Sequence, residues 1–492
     1  MTMRAAALAS LCGCVLAACA AGPQYQAPTP QLPQQWTYPQ LRGVAPLPVP
    51  WWRAFGDPAL DALEERAGAT SPDLETAALR FAQSRAQRRI TAAQRGPQAG
   101  ASAAASRQRQ SEHGASVRMM DVLAPPATRD ELVRALSEPY DLYQAGFDAS
   151  WEPDLWGRVR RSIEAADADV AAARATLDGV RLGLQAEAAR NYFEWRDSQR
   201  QIALARADLA AAEEQQRLLQ ARADGGAASE LDAARQRAQL AELQARLPAL
   251  AAGETQAANR LSLLLGEPPG TLPPDLMAAA LPAEGAAQWP VALPDLAAGL
   301  PSELARHRPD IRAAEARLHA ATAAVGIAVA ALYPRITLGG DFAYEATRPG
   351  DLGDWGSRRW SVGASLDLPV FDRGRRRGVI TLRKLQQQEV AVAYQHVVLS
   401  AWHEIDTALA AYLAQRDRHQ ALAEREAAAR DACALAHARY ERGLESYLVN
   451  LDSQRALLAA RRESAASAAA LANRLVVLYK ALGGNETGGG RP

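Results

Sequence analysis

Tyr143 to Gly157 reads YQAGFDASWEPDLWG. Tyr143, Ala145, Phe147, Ala149 and Trp151 alternate with Gln144, Gly146, Asp148 and Ser150, so a strand here has one apolar face and one wet face. Pro153 ends the alternation, Gly157 turns the chain, and a very long helical pattern starts at Arg158 with no linker between. Trp360 to Gly374, WSVGASLDLPVFDRG, repeats the arrangement: Trp360, Val362, Ala364, Leu366 and Leu368 oppose Ser361, Gly363, Ser365 and Asp367, and Pro369 and Gly374 follow.

Outward from these two stretches the whole chain repeats. Gly363 minus Gly146 is 217, as are Gly374 minus Gly157, Arg439 minus Arg222, Gly443 minus Gly226, Ser446 minus Ser229 and Gly483 minus Gly266. Upstream, Asp310 minus Asp73 and Pro334 minus Pro97 are both 237, so the first half carries 20 extra residues (237 minus 217) between its two strands. An exposed loop tolerates such a difference; the segment from Gln110 to Pro139 is read as that loop. Ile336, Leu338, Phe342 and Tyr344 alternate with Arg335, Thr337, Asp341 and Glu345 as the first strand of the second half. Its counterpart, Gln98 to Gln108, offers only Ala99, Ala101, Ala103 and Ala105 and is read as a strand because of that partner. Each half is helix, strand, loop, strand, very long helix, turn, helix.

The long helix of the first half spans Arg158 to about Arg222 without a proline. Ile163, Val170, Leu177 and Leu184 recur every seven residues, and the series resumes at Ala188, Trp195, Ile202 and Leu209 after a step of four, the spacing of a coiled-coil stutter. At about 1.5 Å per residue this is a rod of roughly 95 Å. Gly225-Gly226 turns the chain and Ser229 caps the returning helix. Further upstream, WWRAFGDP (Trp51 to Pro58) places Asp57 as an N-cap and Pro58 at the first helical position.

The N-terminus reads as a targeting segment. Arg4 precedes an apolar run, Ala5 to Ala18, too short to span a bilayer. Leu16-Ala17-Ala18-Cys19 resembles the lipobox of bacterial lipoproteins, which implies an acylated (palmitate-bearing) Cys19 as the mature first residue, and Ala20 in place of aspartate implies the outer membrane. Gly22 to Pro50, rich in Pro and Gln, reads as a tether. The expected divisions are a signal peptide at 1–18, a lipidated tether at 19–50, a first repeat at 51–266, a Pro-rich connector at 267–309, a second repeat at 310–483 and a tail at 484–492.

Composition excludes other classes. Of the 492 residues 48% are hydrophobic, much of that alanine, and only 6% are aromatic, which suits long, closely packed helices better than a thick core. Basic and acidic residues balance at 55 each, leaving no footprint for nucleic acid. Only Cys433 remains in the body, so the mature chain has no internal disulfide to form. No apolar run after Ala18 reaches 18 residues, so strands must hold any membrane position. Four strands with one lipid-compatible face cannot close a barrel, and open edges are not tolerated in hydrocarbon, so several chains must pool their strands: two would give a filled eight-stranded barrel, three a twelve-stranded one with a lumen.

The run LPSELARHRPDIRAAEARLHAATAAVGIAVAALYPRITL, Leu300 to Leu338, resembles the signature block of the outer membrane factors of tripartite efflux pumps, the TolC-like proteins, in their NodT-type lipoprotein branch. WWRAFGDPALDAL, WEPDLWGR, RYERGLESYLVNLDSQRALL and LVVLYKALGG are similar to the same family. The resemblance implies a homotrimeric mixed α and β membrane protein: a twelve-stranded outer-membrane β-barrel, four strands per chain, continuing into a periplasmic α-helical barrel. It further implies an exit duct for drugs or other small molecules, as in multidrug resistance, working with a periplasmic adaptor and an inner-membrane pump of the RND type. Neither enzymatic activity nor a cofactor is implied. By the same resemblance the hairpin tips, Gly226 to Ser229 and Gly443 to Ser446, dock the adaptor, and Leu448 and Asp452 close the periplasmic aperture. A ring of three aspartates would favour cations. The first hairpin has Leu231 and Arg235 there instead.

Other candidates are weaker. Cys433 and His437 are i and i+4 on a helix but lack a third ligand. The run Asp372-Arg373-Gly374-Arg375-Arg376-Arg377 sits where a strand leaves the bilayer and reads as interfacial arginine. Two rival classes are a lipid-anchored structural coiled coil of the envelope and a duct for type I protein secretion.

Overall fold

A computed structural model of the chain describes residues 21–28, 50–119, 124–125, 127–227, 229–273, 276 and 307–484. The signal peptide, Cys19, most of the tether, the connector from 277 to 306 and the tail from 485 lie outside the described residues.

The elements run α1 (Pro58–Thr70), α2 (Pro72–Ala93), β1 (Gln98–Gln108), α3 (Ala115–Arg118), α4 (Arg129–Leu136), β2 (Tyr140–Trp151), α5 (Arg158–Asp224) and α6 (Glu230–Leu264). The second half gives α7 (Pro309–Ala330), β3 (Arg335–Ala346), β4 (Arg358–Asp367), α8 (Arg375–Glu441) and α9 (Tyr447–Ala481). The repeat is exact in helix length: α5 and α8 each have 67 residues, α6 and α9 each 35, α2 and α7 each 22. The segment between β1 and β2 departs from the expected plain loop, since it folds into α3 and α4. Val117 and Val133 bury their side chains there.

The chain divides into two compact units. One takes in 85–169 and 318–389 and holds the sheet. Its strands pair antiparallel in the order β1-β2-β3-β4, an up-and-down meander. Both strand-to-strand loops therefore lie at one end of the sheet, and all four helix connections at the other. Residues 21–26 also belong to this unit and pack against it, contrary to the expectation of a free tether.

The other unit takes in the described parts of 27–84, 170–317 and 390–492 and holds the main core. The middle of the seven-residue series is part of it, through Leu177, Leu184, Ala188 and Trp195; Ile202 is buried outside this cluster, and Ile163, Val170 and Leu209 are only half-buried. The WWRAFGDP stretch shows why such residues are needed at one spot. Trp51 stacks on Tyr479 at 5.4 Å and Phe55 packs on Phe193 at 4.8 Å. Gly56 turns the chain at φ 61°, and the Asp57 carboxylate accepts the amides of Ala59 and Leu60 at 3.0 and 3.4 Å. Its second oxygen accepts the Tyr192 hydroxyl at 2.7 Å, tying the cap to α5. A buried Arg308 ties the start of α7 and the end of α9 to the middle of α8: it donates to Asp310 at 2.7 Å, to the Ala481 carbonyl at 2.8 Å and to Glu404 at 2.7 Å.

Candidate functional site

The alternation read in the sequence becomes two chemically distinct sheet faces, because antiparallel partners point the same way. One row runs Ala101, Phe147, Phe342, Trp360; its neighbours are Ala99, Ala149, Gly340, Val362 and Ala103, Ala145, Tyr344, Arg358. The opposite face carries rows such as Gly100, Asp148, Asp341, Ser361. Gln144 donates to Glu345 at 2.8 Å there, and Ser361 donates to Asp341. Phe147 and Trp360 are each 68% exposed and Val362 81%, so within one chain the apolar face is bare. Among the described residues the outer edges of β1 and β4 have no strand partner. Such a sheet suits hydrocarbon on one side and water on the other, once its edges are paired. An even strand count makes that pairing antiparallel when β4 of one copy meets β1 of the next.

At the far ends of α5 and α8 two hairpins turn by the same device. Gly226 at φ 71° and Gly443 at φ 70° let the Ala227 and Leu444 amides reach back to the Arg222 and Arg439 carbonyls at 2.7 and 2.9 Å. Ser229 caps α6 through the Leu231 amide at 3.1 Å. Ser446 stands at the matching N-cap of α9 without a side-chain cap bond. All four tip residues are therefore at hairpin ends.

Leu448 and Asp452 lie one turn apart on α9 and are both exposed, Leu448 at 40%. Tyr447, Asn450 and Leu451, on the other side of the same turns, are buried. Sequence reading missed what holds them. The Tyr447 hydroxyl donates to Gln236 Oε1 at 2.7 Å, Gln236 Nε2 donates to the Ala212 carbonyl at 3.0 Å, and Arg455 Nε donates to Gln239 Oε1. Burial, with Tyr440 and Asp232 adding to it, pushes the Tyr447 phenol up to about 12, so it stays a donor at physiological pH. These ties join α9 to α6, the two hairpins to each other. Under the 217 offset Tyr447 matches Glu230 and Gln236 matches Ser453. The signal in the sequence was thus a local failure of the repeat. His437 sits 3.4 Å from Glu441, and no cluster of metal-ligating residues occurs among the described residues. Cys19 lies outside them.

The family description Outer membrane efflux protein matches residues 63–267 and 300–484, most of the chain. The chain belongs to the outer membrane efflux protein family. It is 34% identical over 454 residues to the pyoverdine export outer membrane protein OpmQ of Pseudomonas putida, covering 92% of each chain. It is 33% identical to the outer membrane protein OprJ of Pseudomonas aeruginosa, covering 97% of this chain and 95% of that one. Among solved structures it resembles the outer-membrane channel OprN, with a TM-score of 0.77, 32% identity, and coverage of 95% and 99%. It resembles the open state of the Neisseria gonorrhoeae MtrE outer membrane channel with a TM-score of 0.78, 30% identity, and coverage of 94% and 97%.

As a member of the outer membrane efflux protein family the chain has the fold of a trimeric channel combining a helical barrel with a β domain. Its four strands are one third of a twelve-stranded outer-membrane barrel. The protein is a channel of the outer membrane, reaching into the periplasm, and not an enzyme. It is the outer-membrane exit duct of an efflux system.

Proposed function

We propose that this channel is the lipid-anchored outer-membrane component of a tripartite pump whose inner-membrane member is of the RND type. Cys19 carries the anchor. A periplasmic adaptor engages the hairpin tips at Gly226, Ser229, Gly443 and Ser446, whose glycine turns present ordered backbone at the helix ends. Leu448 and Asp452 line the aperture, and the three copies of Asp452 favour cations. The single observation that best supports this placement is that Leu448 and Asp452 are exposed on one face of α9 while Tyr447, Asn450 and Leu451 lock the opposite face. Relatives named for export of pyoverdine, toluene and antibiotics support a small-molecule cargo over a secreted polypeptide. The chain functions in the divisions 51–266 and 310–483, with 267–309 as connector.

The experiment is single-channel recording of Asp452→Ala and Leu448→Ala in planar bilayers. Both are expected to raise conductance, with Asp452→Ala also lowering cation preference and leaving trimer yield unchanged. Unaltered conductance in both would remove these residues from the aperture. Loss of drug tolerance in a deletion strain, with polypeptide secretion intact, separates the small-molecule reading from a protein duct.

A further inference from the structure

Arg358 and Arg359 open β4 side by side and face opposite ways, because a strand alternates its side chains. Arg359 shares the wet face with Glu345 and lies 3.8 Å from its carboxylate. Arg358 shares the apolar face with Tyr344, its partner on β3. Its guanidinium lies over the Trp355 ring, 4.0 Å from the centroid, and donates to the Trp355 carbonyl. The stack and the hydrogen bond fix the fork's orientation and leave its remaining donors free. Among the described residues Arg358 has no carboxylate partner. Arg107, at the same end of β1 and on the same face, is already matched to Asp141 at 3.5 Å.

The membrane decides what can meet this unmatched cation. From Leu366 to Arg358 the strand climbs eight residues (366 minus 358), about 27 Å at ~3.4 Å each. Barrel tilt lowers that to roughly 20 Å of depth, close to the ~25 Å apolar band of an outer-membrane barrel. Leu366 stands at the sheet end that leads into the helices and the periplasm, so Arg358 stands at the opposite, outer surface of the bilayer. Trp355 stands there with it, 71% exposed, as aromatic residues do at a membrane boundary. A lipid-facing cation with no counter-ion is costly at that level. An anion carried by the lipid itself removes the cost, and a planar guanidinium fork suits a phosphate.

We propose that Trp355 and Arg358 form a site for a phosphate of the outer-leaflet glycolipid, one site per subunit. The indole holds the guanidinium flat against the rim of the apolar face, its free donors take the phosphate, and the acyl chains of the same lipid lie along the apolar face below. The β3–β4 loop thereby fastens each subunit to the outer leaflet.

Native mass spectrometry of the detergent-extracted trimer, incubated with bis-phosphorylated or dephosphorylated lipid A, tests this. The wild type is expected to retain the phosphorylated lipid, up to one per subunit, and to hold the dephosphorylated form about tenfold less. Arg358→Gln should lose about tenfold in retention and Trp355→Leu should also weaken it, with the trimer intact in the same spectra. Arg359→Gln, on the wet face, should retain lipid as the wild type does. Equal retention of both lipids, or full retention by an intact Arg358→Gln trimer, would overturn the site. Displacement of the lipid by millimolar inorganic phosphate would overturn the lipid assignment and leave a general anion site.

Discussion

Glu64 sits on α1 at 2% exposure in a core built from apolar side chains. Burial pushes its carboxyl well above the usual range, an effect only partly offset by the Ala189 backbone. The folded chain therefore keeps a proton that the unfolded chain releases near 4.5. Its contribution to stability is complete below that pH and is lost as pH rises through the raised folded value. Glu64→Gln keeps the shape without the titration. Heat dissociation of the trimer, followed from acidic to neutral pH, should fall with rising pH in the wild type and fall less in the variant. Tyr447→Phe is a second single-residue case. It removes the donor to Gln236, leaving a buried acceptor unpaired at a cost of about 1–3 kcal/mol. Chemical unfolding should show that loss, and conductance should rise because the tie between α6 and α9 is gone. Neither residue was legible beforehand. Glu64 lies on an ordinary amphipathic pattern, and the Tyr447–Gln236 pair joins positions 211 apart in sequence, which no local periodicity reports.

The elements themselves were far more readable, for a physical reason that differs from one to the next. β2, β3 and β4 announce themselves because lipid on one side and water on the other enforce a period of two. β1, with alanine at every apolar position, lacks side-chain contrast and could be placed only through its partner in the second half. α3 and α4 were hidden because one-turn and two-turn helices are too short to establish a pattern. The 21–28 segment was hidden by composition, since Pro and Gln read as solvated chain whether or not they dock. The two-faced sheet makes a prediction of its own. Phe147→Arg places a charge mid-strand on the bare apolar face and should cost about 2–4 kcal/mol in bilayer stability. Asp148→Arg, one residue along on the wet face, should leave the trimer assembled. Urea unfolding in lipid vesicles distinguishes them, and equal losses would assign the faces wrongly.

At the scale of the molecule, the 217-residue repeat supplies two strands per half and therefore an even number per chain. Antiparallel pairing then holds at every seam, inside a subunit and between subunits alike. This has a sharp corollary. A ring assembled from such sheets closes without a parallel junction whether it contains two, three or four copies, so hydrogen bonding along the strands is blind to stoichiometry. Copy number is then set by side-chain packing, to which the 67-residue helices contribute along their length. A chimaera keeping α5, α6, α8 and α9 but taking its four strands from a relative should still count to three in native mass spectrometry.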